Sequence, residues 1–127
     1  MTLLYVDDDV EDIELFCDAM RIVNPQASCT VAENAINGLH ALKDLVPDYI
    51  FLDINMPVMG GVEMLAAIRA DNKLSKIPVC MLSTSSSASE IKKCLDMGAY
   101  KFFVKPHSFT MLCSMLQEFF STEYASK

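Results

Sequence analysis

A chain of 127 residues, 52% of them apolar, is long enough for one hydrophobic core and too short for two. No apolar run reaches the ~18 residues that a membrane span needs, and a formal charge of −7 withholds the basic footprint of a nucleic-acid binder. The opening Met1-Thr2-Leu3 has no basic n-region and enters a strand at once, so no signal peptide and a cytoplasmic location are expected.

The elements follow in chain order. An apolar run at about 2–6 predicts the first strand. Val10, Ile13, Phe16, Cys17 and Met20 at helical spacing predict a helix from about Asp9 to Val23. Asp9 is its expected N-cap, and Asn24-Pro25 stops it. A second strand is expected at about 29–32. A second helix starts near the capping residue Asn34 and uses Ala35, Leu39, Leu42 and Leu45. The third strand is 49–52, and a loop through Gly60-Gly61 leads to a helix carrying Val62, Leu65, Ala66, Ile68 and Arg69. The fourth strand is 79–82.

A serine-rich loop from Ser83 to Ser87 then precedes a fourth helix. Its start is marked by the capping box Ser87-Ala88-Ser89-Glu90, and Gly98 stands where a helix C-terminal glycine belongs. The last strand is about 101–105. The fifth helix runs from about Ser108 to Tyr124, its core arc being Phe109, Leu112, Cys113, Leu116 and Phe120. Met111 and Met115 fall outside that arc and are expected exposed or half exposed, as part of a partner surface. The last few residues read as a short polar tail, and nothing is left over for an output domain. Five cysteines (17, 29, 80, 94, 113) give an odd count with no CxxC or His-paired spacing, so they read as reduced core residues.

Short apolar strands alternating with helices argue for a buried parallel α/β sheet, whose functional groups collect at the carboxyl ends of the strands. Four of the runs end in chemistry-bearing residues: Asp7-Asp8-Asp9, Asp53, Ser83-Thr84 and Lys105-Pro106. Carboxylates held close repel one another, and a hard divalent cation relieves the repulsion. Mg²⁺ prefers one or two carboxylates, several waters and phosphate oxygens. A carboxylate near its ordinary pKa of ~4 is ionised at neutral pH and needs no general base. With the metal cancelling charge, it can attack phosphorus and form an acyl phosphate. A lysine and a hydroxyl would then bind the phosphoryl oxygens.

Val6-Asp7-Asp8-Asp9, Asp48 through Pro57 with Gly60-Gly61, Pro78 through Ser83, and Phe102-Phe103-Val104-Lys105-Pro106 together resemble the receiver domain of the two-component response-regulator family over nearly the whole chain. The resemblance implies a doubly wound (βα)5 flavodoxin-like fold, a five-stranded parallel sheet in order 2-1-3-4-5 with helices on both faces, forming one receiver domain over 1–127. It implies that Asp53 is the phosphoacceptor, with Ser83 and Lys105 binding the phosphoryl group. It also implies a Mg²⁺ site made of Asp8, Asp53 and the backbone carbonyl of Asn55, with Asp7 acting through water. A cis Lys105-Pro106 bond would aim the lysine into the pocket. Phe102 takes the place of the family's frequent switch tyrosine, so Ser83 and Phe102 are the expected switch residues.

The function so implied is a phosphorylation-controlled module rather than a conventional enzyme. A histidine kinase or histidine phosphotransfer protein would supply the phosphoryl group. A second copy or a downstream protein would dock through helix 4, strand 5 and helix 5. Two other readings compete. One is a degenerate receiver acting as a constitutive adaptor, against which Asp8, Asp53, Ser83 and Lys105 all stand. The other is a small aspartate-nucleophile phosphatase, suggested by Asp7-x-Asp9. Glu11 stands where such enzymes usually carry Thr or Val, and the chain has no room for their cap.

Overall fold

A computed structural model describes residues 1–85 and 87–125, so Ser86 of the serine-rich loop and the end of the polar tail lie outside the described residues. Five strands alternate with five helices: β1 (Thr2–Val6), α1 (Val10–Val23), β2 (Ser28–Ala32), α2 (Ala35–Ala41), β3 (Tyr49–Asp53), α3 (Gly61–Ala70), β4 (Val79–Ser83), α4 (Ala88–Asp96), β5 (Lys101–Val104) and α5 (Phe109–Ala125). The strands form one parallel sheet in the order β2-β1-β3-β4-β5, as the resemblance implied.

Alternation along each strand divides the core in two. Leu4, Val6, Ile50, Leu52, Val79 and Met81 face α2, α3 and α4, where Ala35, Met64, Leu65, Ile68 and Cys94 cover them. Leu3, Tyr5, Tyr49, Phe51, Cys80 and Leu82 face α1 and α5. Every residue of β3 and β4 is buried. Covering both faces is what made the strands read as continuous apolar runs.

Local signals set the helix ends. The Asp9 carboxylate accepts from the N–H groups of Glu11 (2.9 Å) and Asp12 (3.2 Å), and Asn34 accepts from Asn37 N–H (2.7 Å). Both caps are the ones expected. Gly98 follows α4 at φ +98°, the left-handed conformation that glycine adopts without steric cost.

The faces differ from the pattern in places. Val10 in α1 is exposed, and Ala19 is buried instead. α2 ends at Ala41, so Leu42 packs from its C-cap and Leu45 lies beyond the helix. In α3, Met64 is buried and Ala66 exposed. In α5 the core arc rotates toward the C-terminus: Leu116, Phe119, Phe120 and Glu123 are buried, while Phe109, Leu112 and Cys113 are only partly covered. The cause is aromatic and polar. Phe119 sits edge-on to Tyr49, Phe51 and Phe103. Glu123 accepts hydrogen bonds from Tyr49 (2.7 Å) and Tyr100 (2.6 Å), and these compensate a carboxylate that would otherwise be costly to bury. Met111 is exposed and Met115 half-buried, as expected.

One half of the capping box is diverted. Ser87 Oγ accepts from Glu90 N–H (3.5 Å), but the Glu90 carboxylate turns instead to the Ser83 hydroxyl (3.2 Å). Ser87 N–H donates to Ser85 Oγ (3.3 Å) in its place.

The start of α3 is pressed against the end of β3. A Cβ on Gly61 would lie 2.3 Å from the Asp53 carbonyl oxygen and 2.8 Å from Ile54 Cα, contacts that backbone cannot relieve without moving. Gly61→Ala is therefore expected to cost about 1–3 kcal/mol of stability, measured by urea unfolding. An unchanged midpoint would show that this junction yields freely.

Candidate functional site

At the carboxyl end of the sheet, the ends of four strands deliver the groups singled out above. Asp7 and Asp8 follow β1, Asp53 closes β3, Ser83 closes β4 and Lys105 follows β5. Asp7, Asp53 and Ser83 are buried, whereas Asp8 is open to solvent. Backbone bonds fix the strand ends: Asp7 N–H donates to Ala32 O (3.1 Å), Ile54 N–H to Leu82 O (2.9 Å) and Lys105 N–H to Ser83 O (2.7 Å).

Lys105 is the hub. Its Nζ lies 2.8 Å from Asp7 Oδ2, 2.9 Å from Asp12 Oδ2 and 3.1 Å from Asp53 Oδ1. The described residues hold no cis peptide bond, so the expected cis Lys105-Pro106 bond is corrected to trans, the form ordinarily favoured before proline. The lysine reaches its three carboxylates without it. Burial alone would lower the lysine pKa, but bonds to Asp7 and Asp12 and the Asp53 charge outweigh burial and raise it above the ordinary value.

Asp7 accepts from three protein donors. Oδ2 accepts from the Tyr5 hydroxyl (2.8 Å) as well as Lys105, and Oδ1 accepts from Asp9 N–H (3.0 Å). Burial, followed by the Asp7 charge, pushes the Tyr5 phenol far up, so it is a constant donor. Asp7, Asp8 and Asp53 each offer a carboxylate oxygen, all within 4.8 Å of one another. Two buried acids and one exposed acid at that spacing suit a hard divalent cation that keeps part of its water shell.

Burial first, and the Asp7 charge second, push Asp53 up to about 6, against the pull of Lys105. Its carboxylate therefore stands above the ordinary value assumed from sequence, yet it is mostly ionised at neutral pH. Ionised in this way, it needs no general base to present a charged oxygen.

The other groups are placed as follows. Asn55 is exposed in the β3–α3 loop, where Met56 is buried and Met59 half-buried against the α2–α4 face. Phe102 is half-buried on that same face, away from the carboxylates. Thr84, Ser85, His40 and His107 are exposed. Asp48 accepts from Thr2 N–H (2.8 Å), a strand-entry role. Sequence reasoning missed Tyr5, Asp12 and Glu90. Tyr5 carried a signal, since a buried phenol must find a partner and lies two strand residues before Asp7. Asp12 and Glu90 had complete local explanations, in the helix dipole and the capping box, and these hid them.

Comparison with known proteins agrees with the geometry. The family model described as the response regulator receiver domain matches residues 3–117. The transcriptional regulatory protein PrrA of Mycobacterium leprae is 39% identical over 108 residues, covering 82% of this chain and 43% of that protein. The two-component response regulator ORR6 of Oryza sativa subsp. japonica is 32% identical over 123 residues, 92% of this chain and 71% of that protein. The chain thus spans less than half of the mycobacterial relative's length. Among solved structures, the phosphorylated cyanobacterial phytochrome response regulator RcpA superposes with a TM-score of 0.86 at 26% identity, covering 93% of this chain and 89% of that one. The chemotaxis response regulator CheY4 of Vibrio cholerae gives 0.81 at 26%, covering 92% and 96%.

The raised Asp53 pKa links the site to stability. A group whose folded pKa exceeds its unfolded value of ~3.9 favours the fold when protonated. That contribution is fully present below pH ~4 and is lost as the pH rises through about 6. Asp53→Asn is therefore expected to stabilise the metal-free protein by roughly 1–3 kcal/mol at pH 8 and by little near pH 4. Urea unfolding at the two pH values measures it; an equal gain at both would remove the electrostatic argument.

Proposed function

The chain belongs to the response regulator receiver domain family, and on that premise we propose that it is a switch that accepts a phosphoryl group on Asp53 from a histidine kinase or histidine phosphotransfer protein. The observation that carries this reading is the contact of Lys105 Nζ with Asp53 Oδ1 at 3.1 Å, inside the acidic cluster of Asp7 and Asp8. A buried nucleophile, a cation beside it and a hydroxyl on the next strand form the set that phosphoryl transfer to a carboxylate requires.

Asp8, Asp53 and the Asn55 backbone carbonyl would hold Mg²⁺, with Asp7 acting through water, and the bound ion would neutralise charge on the incoming phosphoryl group. The three protein donors already on the Asp7 carboxylate favour that indirect role. Asp53 attacks phosphorus with a carboxylate oxygen, and the leaving group departs with the bonding electron pair. Lys105, held by three carboxylates, keeps its charge throughout and turns toward the phosphoryl oxygens. Ser83 donates its hydroxyl to another of them. RcpA, similar in fold, is phosphorylated in its solved structure, which supports carrying that chemistry to this chain.

Output is by docking. Net charge −7 gives the chain no basic surface for nucleic acid, and among the described residues no helix is long and apolar enough to cross a membrane. The surface proposed is that of α4, β5 and α5, and along its β5 and α5 part runs a groove of about 500 Å³ lined in part by Phe103, Met111, Met115 and Phe119. It suits a second copy or a downstream protein. Phe102 is the moving ring, and because it is already half covered, turning inward gains less than the ~1.5–3 kcal/mol of burying a fully exposed ring. The phosphatase reading loses ground because Asp9, its second aspartate, is an exposed N-cap.

Acetyl phosphate with Mg²⁺ is expected to add one base-labile phosphoryl group, read by intact mass. Asp53→Asn should abolish the addition, and Asp8→Ala or chelation of the metal should slow it by roughly tenfold or more. Equal labelling of Asp53→Asn would refute the phosphoacceptor assignment, and steady turnover of a phosphomonoester would favour the phosphatase.

A further inference from the structure

The Ser83 hydroxyl is not idle. It donates to Glu90 Oε1 at 3.2 Å and accepts from Ser85 N–H at 3.0 Å. Ser83 is buried at the end of β4, while Glu90 lies in the first turn of α4 and is half exposed. One side-chain bond therefore joins the sheet end to the start of a helix. A hydroxyl has a single proton to donate, and the Glu90 carboxylate holds it.

The same carboxylate belongs to the sequence Ser87-x-x-Glu90, in which the glutamate ordinarily returns to the N-cap N–H. Here that N–H is held by Ser85 Oγ at a long 3.3 Å, and only the other half of the box is made, at 3.5 Å. Glu90 thus has two partners within its own local structure, the Ser83 hydroxyl and the Ser87 N–H, and it takes the first.

We propose that Glu90 is a positioning residue that holds the Ser83 hydroxyl away from the phosphoryl site and, when a phosphoryl group claims that hydroxyl, moves to close the capping box on Ser87 N–H. The proposal rests on Asp53 being the phosphoacceptor and Ser83 its hydroxyl donor. Two effects drive the exchange. The phosphoryl oxygens compete for the one proton on Ser83 Oγ, and their added negative charge repels the Glu90 carboxylate. The charge leaves for a helix N-terminus, where the macrodipole and an N–H donor receive it. In this way the bond lost at the site is exchanged for a charge-assisted one at the head of α4, in place of the long Ser87–Ser85 bond, and α4 starts differently in the two states.

The test uses the full chain with Mg²⁺ and beryllofluoride, a phosphoryl mimic that coordinates a carboxylate. Glu90→Ala releases the hydroxyl and removes the like charge, so beryllofluoride affinity, read by titration, should tighten about threefold to tenfold, the order expected for one hydrogen bond to a charged group less the lost cap. Glu90→Gln keeps an acceptor for both partners and should fall between Glu90→Ala and the parent. In a Ser83→Ala background the Glu90→Ala gain should largely vanish, a coupling that a merely structural effect on α4 would not show. In the parent protein, amide exchange at Ser87 should slow when beryllofluoride binds, and in Glu90→Ala it should not. Unchanged affinity in Glu90→Ala, a gain that persists without the Ser83 hydroxyl, or unchanged exchange at Ser87 in the parent would each overturn the proposal. Beryllofluoride that fails to bind the parent at all would instead bring down the phosphoacceptor reading beneath it.

Discussion

One ammonium group against four carboxylates is the constraint on which the site depends. Lys105 bonds directly to Asp7, Asp12 and Asp53, while Asp8 stands in the same cluster. The acids repel one another, Asp7 and Asp53 have lost most of their water, and one lysine cannot balance four carboxylates. Burial first, and this crowding of charge second, raise the pKa of Asp53, and the same crowding suits the cluster to a cation. Electrostatic stress stored in the fold and the proposed binding of metal and phosphoryl groups would thus be two aspects of one arrangement. The sheet makes the arrangement rigid: Asp53 and Ser83 terminate strands whose residues are buried throughout, and strand ends cannot drift apart to relax the repulsion.

Much of this was legible in the chain. Continuous apolar runs such as Tyr49 through Leu52 declare a strand covered on both faces, and each ends where a functional residue begins. Caps declared themselves equally well, because Asp9 and Asn34 act on N–H groups two or three residues away. What did not show was the outcome of competition between elements distant in sequence. The arc of α5 shifted because Phe119 and Glu123 meet aromatic partners on β3 and beside β5, and nothing local to α5 indicates them. Asp12 and Glu90 were hidden for the opposite reason: each already had a sufficient local explanation. The trans Lys105-Pro106 bond marks the limit of reasoning by resemblance, since the reach of the lysine to its acids is met without the cis form that was expected.

The two halves of the sheet are unequally held, and the inequality bears on how a signal leaves the site. β3 and β4 are buried at every position, whereas β5 is exposed or half-exposed along its length. α4 buries only Cys94, against four buried residues in each of α1 and α3. Segments with few buried apolar contacts open and shift at the lowest free-energy cost. Asp53 and Ser83 are thus set on the fully buried strands, and α4, which buries a single residue, follows directly on β4.

Ser83 stands at the boundary between these halves, as the last residue of a fully buried strand whose side chain bonds to the head of the least anchored helix. Ser83 also follows directly on Leu82, the residue that pairs with Asp53 across β3 and β4. A change of partner at this one oxygen costs the core nothing, because no buried apolar contact is broken when a half-exposed glutamate swings away. The same change acts directly on the first turn of α4, whose N–H groups depend on side chains from the serine-rich loop. Coupling of this kind needs no chain of residues carrying strain across the molecule. It needs a hydroxyl with one proton, two acceptors that cannot share it, and a helix light enough to follow the loser.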